Sequence, residues 1–219
     1  MDRIIGLLLI APPILFALTV HEYAHGWMAL RFGDPTAKDA GRLTLNPLSH
    51  LDPIGTIMLF IVHLGWAKPV PVNPYYFRNP KSDMMWVSLA GPGANLLTAF
   101  ACGLVLRIIN PFSGSFQMGS SVLGILVMMI VYGMMINLVL AFFNLIPLPP
   151  LDGSKILMGL LPAGYEYQMI QLERIGPFLL IGIIVMGNLA GVPILWGIIG
   201  PFVSFFSFVF AGADLSGFF

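Results

Sequence analysis

Residues 4–32 read IIGLLLIAPPILFALTVHEYAHGWMALRF, and this stretch decides the fold of the chain. The only charged residue between Arg3 and Arg31 is Glu22. A largely uncharged run of this length is typical of a transmembrane helix, and it is too long for the apolar region of a cleaved signal peptide. We therefore predict a retained membrane helix over 4–32, with His-Glu-Tyr-Ala-His in its second half.

The composition of the whole chain agrees with a membrane protein. Of its 219 residues 58% are hydrophobic and 9% are charged, whereas an ordinary soluble domain has about 25% charged residues. The formal net charge is zero, which excludes a basic nucleic-acid binder, and the apolar content excludes a disordered chain. The single cysteine, Cys102, excludes an internal disulfide and a cysteine-based zinc site. The expected surroundings are therefore a lipid bilayer.

The other apolar runs predict an all-α polytopic membrane protein with five to six hydrophobic helices. Pro53–Leu64 is apolar but only 12 residues long, which suits a re-entrant segment better than a full span. We expect a single domain over 1–219, with a catalytic core over about 4–160 and two C-terminal helices over about 170–213. The remaining predicted helices cover 84–106, 120–143 and, as a short helix, 154–160.

Two polar segments on either side of the short apolar run predict a small membrane-associated β-hairpin. Arg42–Asn46 alternates apolar and polar residues with period two, as a strand does. Lys68–Val72 contains two prolines, which suits only an edge strand. An edge strand would bind an unwound peptide through its backbone, although a plain interfacial loop remains an alternative. The candidate substrate-binding residues are Arg42, Leu43, Thr44, Leu45, Lys68 and Val70.

The distribution of basic residues predicts the topology through the positive-inside rule. With the N-terminus outside and 53–64 re-entrant, only Arg3 and Arg107 face the exterior. The eight basic residues on the cytoplasmic side are then Arg31, Lys38, Arg42, Lys68, Arg78, Lys81, Lys155 and Arg174. The His-Glu-Tyr-Ala-His end of the first helix would lie on the cytoplasmic side.

The sequence His21-Glu22-Tyr23-Ala24-His25 has the pattern H-E-x-x-H. Residues four apart lie on one side of a helix, so both imidazoles can bind one zinc ion. Glu22 can then take a proton from a water molecule held by the same metal. The alternative is a chance pattern in a packed helix. An acidic residue near the centre of a membrane helix costs about 2.5–3.5 kcal/mol, which favours a functional role.

A catalytic zinc site needs a third protein ligand, and the residues alone leave its identity open. The candidates are His50, His63 and the remaining carboxylates. Asp34, Asp39 and Asp83 lie near basic residues, so we expect them to be solvated at the interface. Asp152 differs because it ends a proline-rich break, where irregular backbone is tolerated only against protein or a water-filled cavity. Its alternative role is to cap the following short helix.

Two motifs together resemble the site-2 protease family of intramembrane zinc metalloproteases. They are His21-Glu22-x-x-His25 and Asn144-x-x-Pro147-x-Pro149-x-x-Asp152-Gly153. Residues 41–47 (GRLTLNP), 65–74 (GWAKPVPVNP) and 90–95 (AGPGAN) are similar to segments of the compact bacterial and archaeal branch of that family. The resemblance covers roughly residues 15 to 160.

The resemblance implies one Zn²⁺ per chain, bound by His21, His25 and Asp152. It implies that Glu22 is the general base and that Asn144 contacts the substrate backbone or the developing oxyanion. It also implies a core of three helices over about 4–32, 82–109 and 120–143. Larger members of the family carry PDZ or CBS domains, and we expect neither in this chain.

The expected function is hydrolysis of a peptide bond within or next to the transmembrane helix of a single-span membrane protein, as in regulated intramembrane proteolysis. The expected location is the cell membrane of a prokaryote. The alternatives are a zinc-binding transporter and another membrane metalloenzyme with H-E-x-x-H. A transporter would need ionisable groups on several spans, and Glu22 stands almost alone in that respect. The oligomeric state is left open.

Overall fold

The computed structural model describes residues 2–55, 67–110, 122–162, 164–213 and 215. This part of the chain is helical, with two short 3-10 turns at Pro47–His50 and Pro74–Tyr76. In chain order the α-helices are α1 (Asp2–Arg31), α2 (Thr36–Asp39), α3 (Pro80–Ile109), α4 (Val122–Asn144), α5 (Asp152–Leu160), α6 (Glu166–Ala190) and α7 (Ile194–Ala211).

The helices confirm the predicted all-α polytopic membrane fold. Four of those in the described ranges are long and apolar enough to cross a bilayer, namely 80–109, 122–144, 167–187 and 194–211. Helix α1 coincides with the first predicted span. Helix α6 begins earlier than the apolar pattern indicates, because the polar residues before Ile175 include good helix formers such as Glu173 and Arg174.

Helices α1, α3 and α4 pack against one another and form the predicted three-helix core. Helix α5 packs on α3, and α7 packs on both α3 and α4. The main buried cluster is made by α3, α4 and α7 together with Leu215, which lies four residues after the end of α7. Its fully buried members include Ala99, Leu106, Val127, Met134, Leu138 and Val203. The polar site described below lies beside this cluster, where α1 crosses the other two helices.

The predicted β-hairpin is wrong. Within the described ranges the contact of β type is an isolated antiparallel bridge between Leu51 and Ala67, and the Lys68 N–H donates to the His50 carbonyl over 2.9 Å. Proline explains the difference. Pro47 begins a 3-10 turn whose start is capped by the Asn46 side chain, and the prolines at 69 and 71 have no N–H for a ladder. Most of the predicted re-entrant segment, 56–64, lies outside the described residues.

Asp34 connects the residues that follow α1 to the segment after Lys68 through hydrogen bonds. Its carboxylate accepts from the Thr36 N–H over 2.9 Å and the Asn73 N–H over 2.7 Å, and also from the Thr36 hydroxyl. The expectation that Asp34 is solvated is wrong, since it is fully buried. Asp83 is buried as well and accepts from the Asn79 N–H over 3.0 Å. Both carboxylates are occupied by backbone donors of turns, which removes the need for water.

Arginine side chains mark two helix ends. At the C-terminal end of α1 the Arg31 guanidinium lies over the Trp27 ring, 4.8 Å from its centroid, in a cation–π contact. In α3 the Arg107 Nε and Nη2 donate to the carbonyls of Phe210 and Val209 over 2.8 and 2.6 Å. Those carbonyls belong to the last turn of α7, so Arg107 caps the C-terminal helix.

Candidate metal centre

Three side chains from α1 and α5 converge on one point. The Nε2 atoms of His21 and His25 are 3.0 Å apart, and each lies 3.2 Å from Oδ2 of Asp152. Within the described ranges these residues form the one group of three His, Cys, Asp or Glu side chains that could hold a metal ion. The two histidines share one side of α1, as their spacing predicts.

The loop between α4 and α5 positions the Asp152 carboxylate beside the two histidines. Asp152 is the first residue of α5, and Leu151 is the N-cap without a side-chain cap bond. The alternative capping role of Asp152 is therefore wrong, because its side chain points to the histidines instead. Gly153 makes this turn possible, since a Cβ there would collide with the carbonyl oxygens of Leu145 and Ile146.

The outer nitrogens of both imidazoles are held by neighbouring groups. His25 Nδ1 lies 2.7 Å from the Val87 carbonyl, which only accepts, so Nδ1 carries the hydrogen. His21 Nδ1 lies 2.6 Å from Oδ1 of Asn95. The Asn95 amide is oriented by Nδ2, which donates to the Ala17 carbonyl over 3.1 Å. Both rings thus have a protonated Nδ1 and an Nε2 lone pair in their neutral forms.

In those neutral forms the inner atoms are three electron-pair donors that face one another. Burial raises the pKa of the Asp152 carboxyl, but hydrogen bonds from His21 and His25, and their positive charge when protonated, lower that pKa by more, and the net pKa is well below the ordinary value. The group is an anion at neutral pH. Two imidazole nitrogens and one carboxylate oxygen are a ligand set of catalytic zinc sites, so these residues fit Zn²⁺.

Helix α3 closes one side of the centre through Gly91. A Cβ at this position would lie 2.5 Å from His25 Nε2 and 2.7 Å from His21 Cε1, far inside van der Waals contact. The neighbouring Pro92 has no N–H to donate to the Ser88 carbonyl four residues before it. A hydrogen bond of α3 is therefore missing in the turn that contains Val87. In the sequence, Gly91 belongs to the segment 90–95 that is similar to the family, but nothing there identifies it as a neighbour of the ligands.

Glu22 contacts the segment that follows Ala67. Its Oε2 accepts from the Val70 N–H over 2.7 Å, and the Val70 side chain is buried. The Val70 Cγ1 lies 3.2 Å from where Gly26 would carry a Cβ, so α1 approaches the segment closely one turn after Glu22. The carboxylate beside the metal centre is thus held by a backbone donor, which the sequence did not reveal.

The other candidate residues lie around this segment. The Arg42 Nη2 donates to the Lys68 carbonyl over 2.6 Å. Leu43 also packs near Gly26, and the Thr44 hydroxyl accepts from the Asn46 N–H over 3.1 Å. Leu45 is exposed. These contacts bring Arg42, Leu43, Lys68 and Val70 together next to α1 without a strand pair.

Asn144 and His50 make local contacts. Asn144 Nδ2 donates to the Leu140 carbonyl of its own helix over 3.0 Å, at the end of α4 from which the Asp152 loop departs. His50 is buried, and its Nε2 lies 2.9 Å from the Thr44 carbonyl. His50 is therefore not the third member of the metal group, and His63 lies outside the described residues.

Comparison with known proteins matches most of this chain to one protein family. The model of peptidase family M50 matches residues 9–186. YwhC of Bacillus subtilis, named as an inferred zinc metalloprotease, is 43% identical over 163 residues, covering 74% of each chain.

More distant relatives carry similar names. Rip2 of Mycolicibacterium smegmatis, also named as an inferred zinc metalloprotease, is 35% identical over 64% of this chain and 52% of its own length. The zinc metalloprotease MJ0392 of Methanocaldococcus jannaschii is 27% identical over 70% of this chain and 34% of its own length. No solved structure matches significantly.

Proposed function

Because this chain belongs to peptidase family M50, the site-2 protease family, and is a membrane zinc metalloprotease, we propose that it cleaves membrane proteins inside the bilayer. The bond cleaved lies within or next to the transmembrane helix of a single-span substrate, in regulated intramembrane proteolysis. The observation that carries the proposal is the convergence of His21, His25 and Asp152 among helices long and apolar enough to span a membrane.

In this proposal His21, His25 and Asp152 hold one zinc ion. The support is their donor chemistry, two neutral imidazole nitrogens and an anionic carboxylate oxygen within 3.2 Å of one another. When bound, zinc supplies a Lewis acid that polarises the scissile carbonyl and lowers the pKa of a water molecule to about 7. The protein supplies the remaining groups.

Glu22 is the proposed general base. It follows His21 directly in α1, and its carboxylate is oriented by the Val70 N–H over 2.7 Å. Glu22 removes a proton from the attacking water and later donates it to the leaving amine. Asn144 is the proposed oxyanion donor. One hydrogen of its Nδ2 is used by the Leu140 carbonyl, and in this proposal the other hydrogen is donated to the substrate.

The proposed substrate-binding residues are Arg42, Leu43, Thr44, Leu45, Lys68 and Val70, together with Asn144. A helical peptide bond must unwind before water can attack it, so the substrate needs an extended backbone partner. The supporting contact is Val70, whose backbone touches Glu22 and so passes beside the proposed base. Substrates that unwind easily near the cleavage point should therefore be preferred.

The proposed location is the cell membrane of a prokaryote, with the active site toward the cytoplasm and the N-terminus outside. Eight of the ten basic residues then face the cytoplasm, as the positive-inside rule requires. Cysteine-specific labelling of single substitutions at Asp2 and Lys81 tests this orientation. Labelling of position 2 from the cytoplasmic side would overturn it.

The decisive experiment incubates the purified chain with a single-span membrane protein that carries Gly or Pro near one end of its helix. The wild-type chain should cleave it, and a zinc chelator should stop cleavage. Glu22→Gln should keep its zinc and lose about 10²–10⁴-fold in turnover. Cleavage by Glu22→Gln at the wild-type rate would refute the mechanism. Zinc flux into vesicles that survives Glu22→Gln, without cleavage, would favour a transporter instead.

A further inference from the structure

A chain of buried amides runs from the metal centre across the three-helix core. His21 in α1 donates through Nδ1 to Oδ1 of Asn95 in α3 over 2.6 Å. Asn95 Nδ2 donates to Oδ1 of Asn137 in α4 over 2.7 Å. Both asparagines have no exposed surface. The three helices are thus joined by polar contacts at the level of a candidate zinc ligand.

Two backbone carbonyls fix which group donates and which accepts in each hydrogen bond of this series. The Ala17 carbonyl accepts from Asn95 Nδ2 over 3.1 Å, and the Gly133 carbonyl accepts from Asn137 Nδ2 over 2.7 Å. Because carbonyls only accept, neither amide can be turned around. Asn95 Oδ1 must therefore face His21, and His21 must carry its hydrogen on Nδ1.

Helix packing alone does not account for these residues. A buried amide is unfavourable in an apolar interior unless it is hydrogen-bonded, and aliphatic side chains would fill the same space. Both hydrogens of Asn95 Nδ2 are used, one by Ala17 and one by Asn137. The remaining acceptor, Oδ1, is directed at the His21 imidazole, whose other nitrogen faces Asp152.

We infer that Asn95 is a positioning residue for His21 and that Asn137 in turn holds Asn95. Together they keep the His21 ring in the tautomer and orientation that present the Nε2 lone pair to the metal. Outer-shell partners of histidine ligands commonly act in this way. The inference rests on the proposed function only in taking His21 as a zinc ligand.

The test measures the zinc affinity of the purified chain by competition with a chelator, so it does not depend on peptide cleavage. Asn95→Leu removes the acceptor and should lower zinc affinity by about 10–100-fold. Asn95→Asp keeps an oxygen acceptor for Nδ1–H but loses the Nδ2 donor to Ala17 and Asn137, so it should recover part of that affinity. Thr98→Val is the matched control, because Thr98 donates only to the Ala94 carbonyl of its own helix.

Asn137→Leu should also lower the zinc affinity, by no more than Asn95→Leu does. Since Asn137 acts through Asn95, the double variant should lose no more affinity than Asn95→Leu alone. Additive losses would instead indicate two independent packing defects. Wild-type affinity in Asn95→Leu, or an Asn95→Asp variant as weak as Asn95→Leu, would overturn the inference.

His21→Ala separates this inference from the proposed function. Loss of zinc in His21→Ala, with no effect of Asn95→Leu, would refute the inference and leave the ligand set intact. Wild-type affinity in His21→Ala would refute the ligand set itself. If Asn95→Leu loses its helical circular dichroism, Asn95→Asp and Asn137→Leu decide the matter, because each keeps a partner for His21 Nδ1.

Discussion

Replacing Gly91 by alanine tests whether α3 must approach the metal centre without a side chain. A Cβ at this position would lie 2.5 and 2.6 Å from two atoms of the His25 ring and 2.7 Å from His21 Cε1. Favourable contacts are about 3.5–4.0 Å, so the imidazoles or the helix would have to retreat by about 1 Å. A displacement of that size can cost about 10²-fold in rate, and we expect zinc affinity to fall as well.

Gly93 provides the matched control for this substitution. It lies two residues further along the same helix, and a Cβ there would meet nothing within 4 Å. Both changes add the same methyl group and the same gain in helix propensity, up to about 1 kcal/mol. Gly93→Ala should therefore bind zinc and cleave substrate like the wild type, with unchanged or slightly higher thermal stability.

The assay compares both variants in zinc competition, in cleavage of a single-span substrate and in thermal unfolding. Gly91→Ala should lose affinity and turnover even where it unfolds at the wild-type temperature, since the clash falls on ligand rings. Zinc affinity and turnover of Gly91→Ala within about threefold of Gly93→Ala would refute the reasoning, because a 1 Å shift of the ligands would then be without effect.

Three other substitutions test separate parts of the structure. Asp152→Asn replaces an anionic ligand by a neutral amide and should reduce zinc affinity, measured by chelator competition, by more than the roughly 10–100-fold of an outer-shell change; unchanged affinity would exclude Asp152 as a ligand. Val70→Pro removes the N–H that holds Glu22, whereas Val70→Ala keeps it, so Val70→Pro should turn over substrate at least about tenfold more slowly. Equal rates for the two Val70 variants would contradict a role for that hydrogen bond. Arg107→Ala should lower stability by about 1 kcal/mol in thermal unfolding and leave zinc affinity unchanged, and a loss of zinc would contradict its assignment as a helix cap.

The helices could be predicted from the sequence because their signal is local. Long apolar runs and the prolines and glycines between them locate the spans, and the i, i+4 spacing places His21 and His25 on one side of α1. The pairing of strands could not be predicted in this way. The alternation in Arg42–Asn46 is real, but proline chemistry at 47, 69 and 71 prevents a ladder.

The partners of the metal ligands could not be found from local patterns either. Asn95 and His21 are separated by 74 positions in the sequence, and Asn137 and Asn95 by 42. Nothing in the neighbourhood of Asn137 distinguishes it from a polar residue in an apolar helix. Asp152 was singled out by its proline-rich turn, but its role came from the family resemblance. Contacts of this kind follow from how whole helices cross.

In the proposed function, the position of Glu22 along α1 limits which bonds of a transmembrane substrate are within reach. Its 30 residues extend about 45 Å, whereas the hydrocarbon layer is about 30 Å thick. Trp27, with Arg31 over its ring, is the kind of residue found at the lipid–water boundary. Glu22 precedes Trp27 by five positions, or about 7.5 Å along the axis. The midplane lies about 15 Å from that boundary, so the proposed function predicts that the bonds cleaved lie in the outermost two turns of a substrate helix. Under the same proposal, bonds nearer the midplane would be cleaved where the bilayer thins or the substrate shifts along its axis.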